Sequence, residues 1–408
     1  MCTPNSKNPN KLISTPYSKP CLDEQDIRAV TRVLRGTFLT QGPEIEKFEL
    51  EFAKFCGAKY AVACSSATAG LHLSAMVLGM GPGDLWWTSP NTFCATADAA
   101  LRCGSAVDFV DIEWGTYNMD LALLEDRLKK AARRGRLPKV VAPVHFAGNP
   151  VDLEFLGTLR RKFGFKVVED AAHATGASLR GEPVGSCRWS DLCVFSFHAV
   201  KIITTGEGGM VTTNSPELYK KLCRLRTHGI TRDPQHRSRG RRHPWYYEKL
   251  DLGNHYRMTD IQAALGRSQL TKAPRFQKER AKIAEDYSTR LAGLPLELPQ
   301  LTPGAKSAWH LYPVVVFGGQ GKRDQVLRQL RRKQIFANLH YLSVPSLRFY
   351  RRVASKAAMD SCPIAKKYAE RALSLPIFPG IKWSQENKVV QSLRKIISPS
   401  PGLRRFHE

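Results

Sequence analysis

A chain of 408 residues, 42% hydrophobic and 9% aromatic, can bury a sizeable core, which excludes general disorder. Its net charge of +26 is the outlier, but the basic clusters at 129–136, 232–243 and 328–333 lie apart and read as solvated faces, so nucleic-acid binding is not expected. No apolar run is long enough to cross a bilayer, and the ten cysteines form no CxxC pair and no zinc spacing, so a cytoplasmic protein with no membrane contact and no metal site is expected.

Residues 1–30 form a polar, proline-bearing N-terminal segment without the apolar core of a signal peptide. A large α/β domain is expected over 31–257. There AKYAVACSS, DLWWTSP, SAVDFVDI, KVVAPVHFAG, FKVVEDAA, LCVFSFHA and GGMVTTN read as seven strands. Between them ATAGLHLSAMVLG, LALLEDRLKKAARRG and DLEFLGTLRRKFG read as helices. Near-continuous apolar strands alternating with amphipathic helices predict a mostly parallel sheet covered on both faces. Helical periodicity from Met258 to about Leu291, then mixed structure to Ile397, predicts a smaller C-terminal α+β domain over 258–397. The tail 398–408 reads as loose.

In such sheets ligands sit beyond the carboxyl ends of the strands, and here several of those ends carry polar groups. The first runs into Ser65-Ser66-Ala67-Thr68 at a helix start, where hydroxyls and free N–H groups suit either a phosphate or an ordinary N-cap. The second ends in TSPNTF, which puts Phe93 at a rim where a ring can stack on a flat ligand or join the core. FKVVED ends in Asp170, a cap or a partner for a cationic ring nitrogen, and His173 follows. LCVFSFHA delivers Ser196, His198 and then Lys201, ahead of the glycines of TTGEGG. A lysine seldom stays buried without a partner, and a desolvated one becomes a nucleophile able to form a Schiff base. An amine, a carboxylate, an aromatic plate and a phosphate cradle at one sheet edge are the set that pyridoxal phosphate requires.

The chain resembles the DegT/DnrJ/EryC1/StrS sugar aminotransferases, which are fold type I pyridoxal phosphate enzymes. The matching stretches, in order, are PYSKPCLDEQD, LTQGPEIEKFE, SSATAGLHL, WTSPNTFCATA, PVHFAG, EDAAHATGA, FSFHAVKIITTGEGGMVTTN, RTHGITRD, PWYYE, YRMTDIQAALG and ALSLPIFP. The resemblance implies that Lys201 holds the cofactor as a Schiff base, that Asp170 pairs with its pyridine nitrogen and that His173 lies near its phenolic oxygen. It places Ser66, Ala67, Thr68 and Ser196 at the phosphate, with Phe93 on the ring. Tyr17, the turn Thr37-Phe38-Leu39-Thr40, and His340-Tyr341 match segments lining the family's sugar site. His255 stands where the family's usual asparagine reaches a neighbouring subunit's active site, which implies a homodimer with shared sites.

The stretches are especially similar to transaminases that make UDP-4-amino-4,6-dideoxy-N-acetyl-β-L-altrosamine in pseudaminic acid synthesis. The expected reaction moves the amino group of L-glutamate, leaving 2-oxoglutarate, to C4 of a UDP-4-keto-sugar. Alternatives are another 4-keto nucleotide-sugar (a UDP-4-keto-pentose or GDP-4-keto-6-deoxymannose) or a nucleic-acid-binding protein on the same fold. Ser343 and Pro345 replace the proline and histidine usual in the family's HYxPxH, on the sugar side. Arg226, His228 and the stretch 232–243 are candidate contacts for anionic substrates.

Overall fold

The computed structural model describes residues 14–233, 243, 245–353 and 361–397. The expected loose tail 398–408 and residues 234–242 of the basic stretch lie outside the described residues.

Helix α1 (Glu24–Leu34) starts at Asp23, whose side chain accepts from two N–H groups of the first turn. It runs through residue 30, where the sequence reading ended the N-terminal segment. Helix α2 (Pro43–Cys56) opens on a proline and closes on the left-handed Gly57. The seven expected strands follow as β1 (Tyr60–Cys64), β2 (Leu85–Thr88), β3 (Ala106–Phe109), β4 (Val140–Ala142), β5 (Lys166–Asp170), β6 (Leu192–Ser196) and β7 (Gly209–Thr213). Between them lie α3 (Ala67–Val77), α4 (Ala95–Arg102), α5 (Leu121–Arg133) and α6 (Leu153–Phe163). Of these α3, α5 and α6 were expected, and α4 was not.

The strands form one sheet in the order β1-β7-β6-β5-β4-β2-β3. It is parallel except for β7, which runs antiparallel to both neighbours, Gly209 facing Cys64 on one side and Ser196 on the other. Side chains alternate between two apolar layers, as the period of a strand requires. Val62, Cys64, Leu192 and Val194 meet α3 and α4 on one face. Ala61, Ala63, Cys193 and Phe195 meet Phe48 and Phe52 of α2 on the other. Burying each such phenylalanine contributes about 1.5–3 kcal/mol.

Helix α7 (Pro216–Leu225) completes the first layer, while α8 (Asp260–Leu270), which opens with a Thr259–Gln262 capping box, completes the second. The long helical stretch expected after Met258 breaks at Thr271–Lys272 and resumes as α9 (Ala273–Leu291).

The remainder builds a second, antiparallel sheet from β8 (Leu296–Glu297), β9 (Tyr312–Val316) and β10 (Ala372–Leu375), with β9 central. Helices α9, α10 (Gly319–Arg332) and α12 (Trp383–Ile397) cover it through Tyr287, Leu330 and Leu393, with α11 (Pro363–Arg371) leading into β10. The N-terminal segment ties the two regions together. Thr15–Pro16 pairs in parallel with Ile335–Phe336, the Tyr17 carbonyl accepts from Ile377 N–H at 3.0 Å, and the Ser18 hydroxyl donates to the Val200 carbonyl at 3.1 Å. No helix among the described residues is long and apolar enough to cross a membrane.

Candidate active site

Strand β1 ends where α3 begins, and Ser66 caps that helix: its backbone is extended and its Oγ accepts the Ala69 N–H at 3.1 Å. The N–H groups of Ala67 and Thr68 have no partner within a helix so early in its first turn. Antiparallel β7 passes beside this turn at Gly209. A Cβ there would lie 2.6 Å from the Ala67 nitrogen and from the Ser66 carbonyl. Glycine is the residue that lets the strand enter without filling the cradle.

Asp170 closes β5 with both carboxylate oxygens engaged. Oδ2 accepts from the Thr96 hydroxyl at 2.6 Å and Oδ1 from the Ala172 N–H at 3.0 Å. The Thr96 hydroxyl is itself 2.8 Å from that of Thr92. The carboxylate is therefore fixed in direction although it is buried. His173, three residues on, places Nε2 3.0 Å from the Tyr341 hydroxyl, in a ring plane only 16° from that of the tyrosine. Its Nδ1 is buried without a partner. Burial, helped by the charge of Lys201 and by His340, holds this imidazole well below the usual histidine range, so it is neutral.

Lys201 lies in the loop between β6 and β7. Bonds from Thr205 N–H to the Phe197 carbonyl and from Phe197 N–H to the Gly208 carbonyl, both 2.9 Å, close that loop. The Ser18 bond to Val200 braces it from outside. Burial lowers the amine to about 8, and the opposing attraction of Asp170 is too weak to restore it. A quantity of neutral amine is thus present near neutral pH, as a nucleophile or base needs.

These groups surround a cavity of about 470 Å³. Lys201, Asp170, His173, Ser66, Ala67, Thr68, Phe93, Ser196, Tyr17, His340 and Tyr341 all line it. Phe93 stays 59% exposed, so its ring is free to meet a ligand. His340 is buried, hydrogen-bonded through Nδ1 to Ser374 at 2.9 Å, and pushed down to about 3 by desolvation and then by Lys201.

The turn Thr37–Thr40 and His255 do not line this cavity. Thr40 bridges to Thr259 and His255 to Thr227, both on the outer surface, where Phe38 is 56% exposed. His255 has His228 for a neighbour, ring centroids 5.4 Å apart. Arg226 is not available to a substrate: it is ion-paired with Glu49 and donates to the Ala63 carbonyl at 2.7 Å. Three polar cavity residues escaped the reading of the sequence as site groups: Thr92, Glu207 and His310. Thr96, behind Asp170, escaped it too.

A sheet with one antiparallel strand between β1 and β6, and a lysine, a carboxylate and a helix N-terminus at its edge, define a fold type I pyridoxal phosphate enzyme. The profile of the DegT/DnrJ/EryC1/StrS aminotransferase family matches residues 20–394, and the chain belongs to that family. It is 37% identical over 388 residues to the spore coat polysaccharide biosynthesis protein SpsC of Bacillus subtilis, covering 94% of this chain and 97% of that one. Among solved structures, PseC of Helicobacter pylori, an aminotransferase involved in the biosynthesis of pseudoaminic acid, superimposes with a TM-score of 0.85. Its identity is 30%, covering 94% of this chain and 99% of that one. Spr1654 of Streptococcus pneumoniae, described as a sugar aminotransferase and solved in its PLP form, gives 0.84 at 28% identity, covering 94% and 98%. The protein is a sugar aminotransferase whose cofactor is pyridoxal phosphate.

The donor set fits that cofactor. The site offers an amine of lowered pKa, a doubly anchored carboxylate, an exposed aromatic ring and a helix N-terminus kept open by Gly209.

Proposed function

We propose that this enzyme moves the amino group of L-glutamate to C4 of UDP-2-acetamido-2,6-dideoxy-β-L-arabino-hex-4-ulose, giving UDP-4-amino-4,6-dideoxy-N-acetyl-β-L-altrosamine, in a homodimer with shared active sites. The observation that carries the amino transfer is the Lys201 amine, lowered to about 8 within one cavity with Asp170. The choice of sugar draws support from the 30% identity with PseC across nearly the whole chain. In this reading 31–257 is the cofactor-bearing α/β domain and 258–397 the smaller C-terminal α+β domain.

Pyridoxal phosphate, when bound, supplies an aldehyde for the donor's amine and a protonated ring that accepts electrons. Lys201 Nζ takes the proton from the donor's Cα as general base and returns one as general acid; at sugar C4 it works in the reverse sense. Asp170, aimed by Thr96 and the Ala172 N–H, holds the proton on the pyridine nitrogen. Ser66, Ala67, Thr68 and Ser196 would hold the phosphate at the α3 N-terminus. Phe93 would cover the ring, and His173 would sit by the phenolic oxygen. Tyr17, His340 and Tyr341 would face the sugar in this cavity, and the Thr37–Thr40 turn, on the outer surface, would reach the sugar of the neighbouring subunit.

The second reading is a different 4-keto nucleotide-sugar. The higher identity to SpsC, 37%, and the changes at His255, Ser343 and Pro345 favour it. Rates with the three 4-keto substrates, read by mass spectrometry of the amino-sugar products, separate the two. The hexulose is expected to be preferred over UDP-4-keto-pentose and GDP-4-keto-6-deoxymannose by at least tenfold in kcat/KM. Equal or reversed values move the enzyme to the second reading.

The shared site makes its own prediction. His255 is exposed on the outer face of its own chain and absent from its own cavity, which supports a role in the neighbour's. His255→Ala should weaken cofactor or substrate binding roughly tenfold to a hundredfold, the worth of one charge-assisted hydrogen bond. Mixing Lys201→Ala chains with His255→Ala chains should then restore part of the activity, because each heterodimer has one intact site. Heterodimers that form without regaining activity remove His255 from the neighbouring site.

A further inference from the structure

His310 enters the cavity from the C-terminal region, next to groups that come from the strand ends. It is 2% exposed, and its ring lies against His173 with centroids 4.6 Å apart and planes 43° apart. His173 is therefore held on two sides. Tyr341 meets its edge through the Nε2 hydrogen bond, and the tilted ring of His310 packs against it. The His310 Nδ1 is buried without a hydrogen-bond partner. Its packing against His173, not a bond from Nδ1, is what this side chain brings.

The backbone under His310 is fixed with unusual thoroughness. Fully buried Arg280 on α9 donates from one nitrogen, Nη1, to the carbonyls of Trp309 (3.1 Å), His310 (3.2 Å) and Ile377 (2.9 Å). Its Nε and Nη2 have no partner, and no carboxylate is within ion-pair distance among the described residues. Burial lowers the guanidinium to about 9, still charged at neutral pH. Trp309 adopts a left-handed backbone (φ 48°), a conformation that persists only where the surroundings dictate it. On the other side, Ala308 N–H donates to the Gly148 carbonyl at 2.9 Å. A Cβ on Gly148 would come within 2.8 Å of the His173 carbonyl and 2.9 Å of the Trp309 nitrogen. Three segments thus cross at one glycine: the loop after β4, the loop after β5 and the strand lead-in carrying His310.

We propose that His310 is a positioning residue of the amino-transfer site, holding His173 in the plane it shares with Tyr341, and that Arg280 is the anchor which places it. A buried arginine with carbonyls for partners is a costly way to tie down a loop. The groups it fixes adjoin the catalytic cavity. Burial, and then the neighbouring Lys201, His173, Arg280 and His340, hold His310 well below the usual histidine range, so it remains a neutral plate.

The inference rests on the aminotransferase reading but not on the identity of the sugar. It is tested first without any sugar, by titrating apoprotein with pyridoxal phosphate and recording the absorbance band. His310→Ala is expected to fold as the parent does by circular dichroism and to bind the cofactor within about threefold, yet to show a displaced band. Turnover should fall tenfold or more with KM within about threefold. His310→Phe, which keeps a flat ring, should return the band and at least a third of the lost activity. Arg280→Met should displace the band in the same direction. An unmoved band in His310→Ala, or an alanine and a phenylalanine variant that are equally impaired, overturns the proposal. If the alanine variant does not fold, the Phe and Arg280→Met variants decide it by the same band. A normal band response with no activity on any tested sugar counts against the proposed substrate and leaves His310 its role.

Discussion

Lys201→Ala is expected to lower turnover by roughly 10³-fold or more, since it removes both the covalent anchor and the proton carrier. The fold should survive, because the loop is closed by backbone bonds and by Ser18, not by the lysine side chain. Borohydride treatment of the holoenzyme should leave the pyridoxyl group on Lys201, and peptide mapping that finds it elsewhere defeats the assignment. The lowered pKa adds a pH signature. Capture of the aldehyde by apoprotein needs the neutral amine, so its rate should climb with pH and level off above about 8. An unperturbed lysine would keep climbing to beyond pH 10. Stability moves with the same proton. In the folded chain the group titrates near 8 and in the unfolded chain near 10.5. Burial of Lys201 therefore costs stability fully below pH 8, and that cost fades as pH rises toward 10.5.

Asp170→Asn should leave cofactor binding largely intact and reduce turnover roughly 10²–10³-fold, the range seen when one preorganised electrostatic partner is lost. An amide cannot hold the pyridine nitrogen protonated, so the ring becomes a poor electron acceptor. The variant is a near isostere, and it can still be engaged by Thr96 and the Ala172 N–H, so little structural disturbance should confuse the result. Thr96→Val should be milder, within about tenfold, because it frees the carboxylate's direction but keeps its charge. Near-normal turnover in Asp170→Asn would sink the role given to this residue.

The sheet was readable from the sequence because its strands are buried on both faces, which makes short, nearly continuous apolar runs such as VVA and LCVFS. The polar residues that interrupt those runs at their carboxyl ends, Ser66, Asp170 and Lys201, were readable for the same reason. What escaped had no such contrast. Thr96 sits inside a short alanine-rich helix and acts only through Asp170, 74 residues away. His310 precedes a strand of the other region, and nothing local to SAWHLYPVVV announces where that strand's start is carried. One signal was available: a histidine among apolar neighbours at a strand entry. The antiparallel course of β7 depends on a loop that folds back, and strand periodicity does not encode direction. Arg226 misled because its partner, Glu49, is 177 residues distant in the chain. A basic residue in a motif looks alike whether it meets a ligand or a buried carboxylate.

The N-terminal strap has a consequence for how the protein is made. Thr15 and Pro16 pair with Ile335 and Phe336, and Tyr17 accepts from Ile377. During synthesis at about 5–20 residues per second, Thr15 and Pro16 must wait for more than 300 other residues before their partners leave the ribosome. The sheet and the Lys201 loop are complete in sequence long before then, so the nascent chain holds the loop without its outer brace. Emergence of residues 335–377, and not of the lysine, is the point at which the strap that carries Ser18 can be pinned at both flanks.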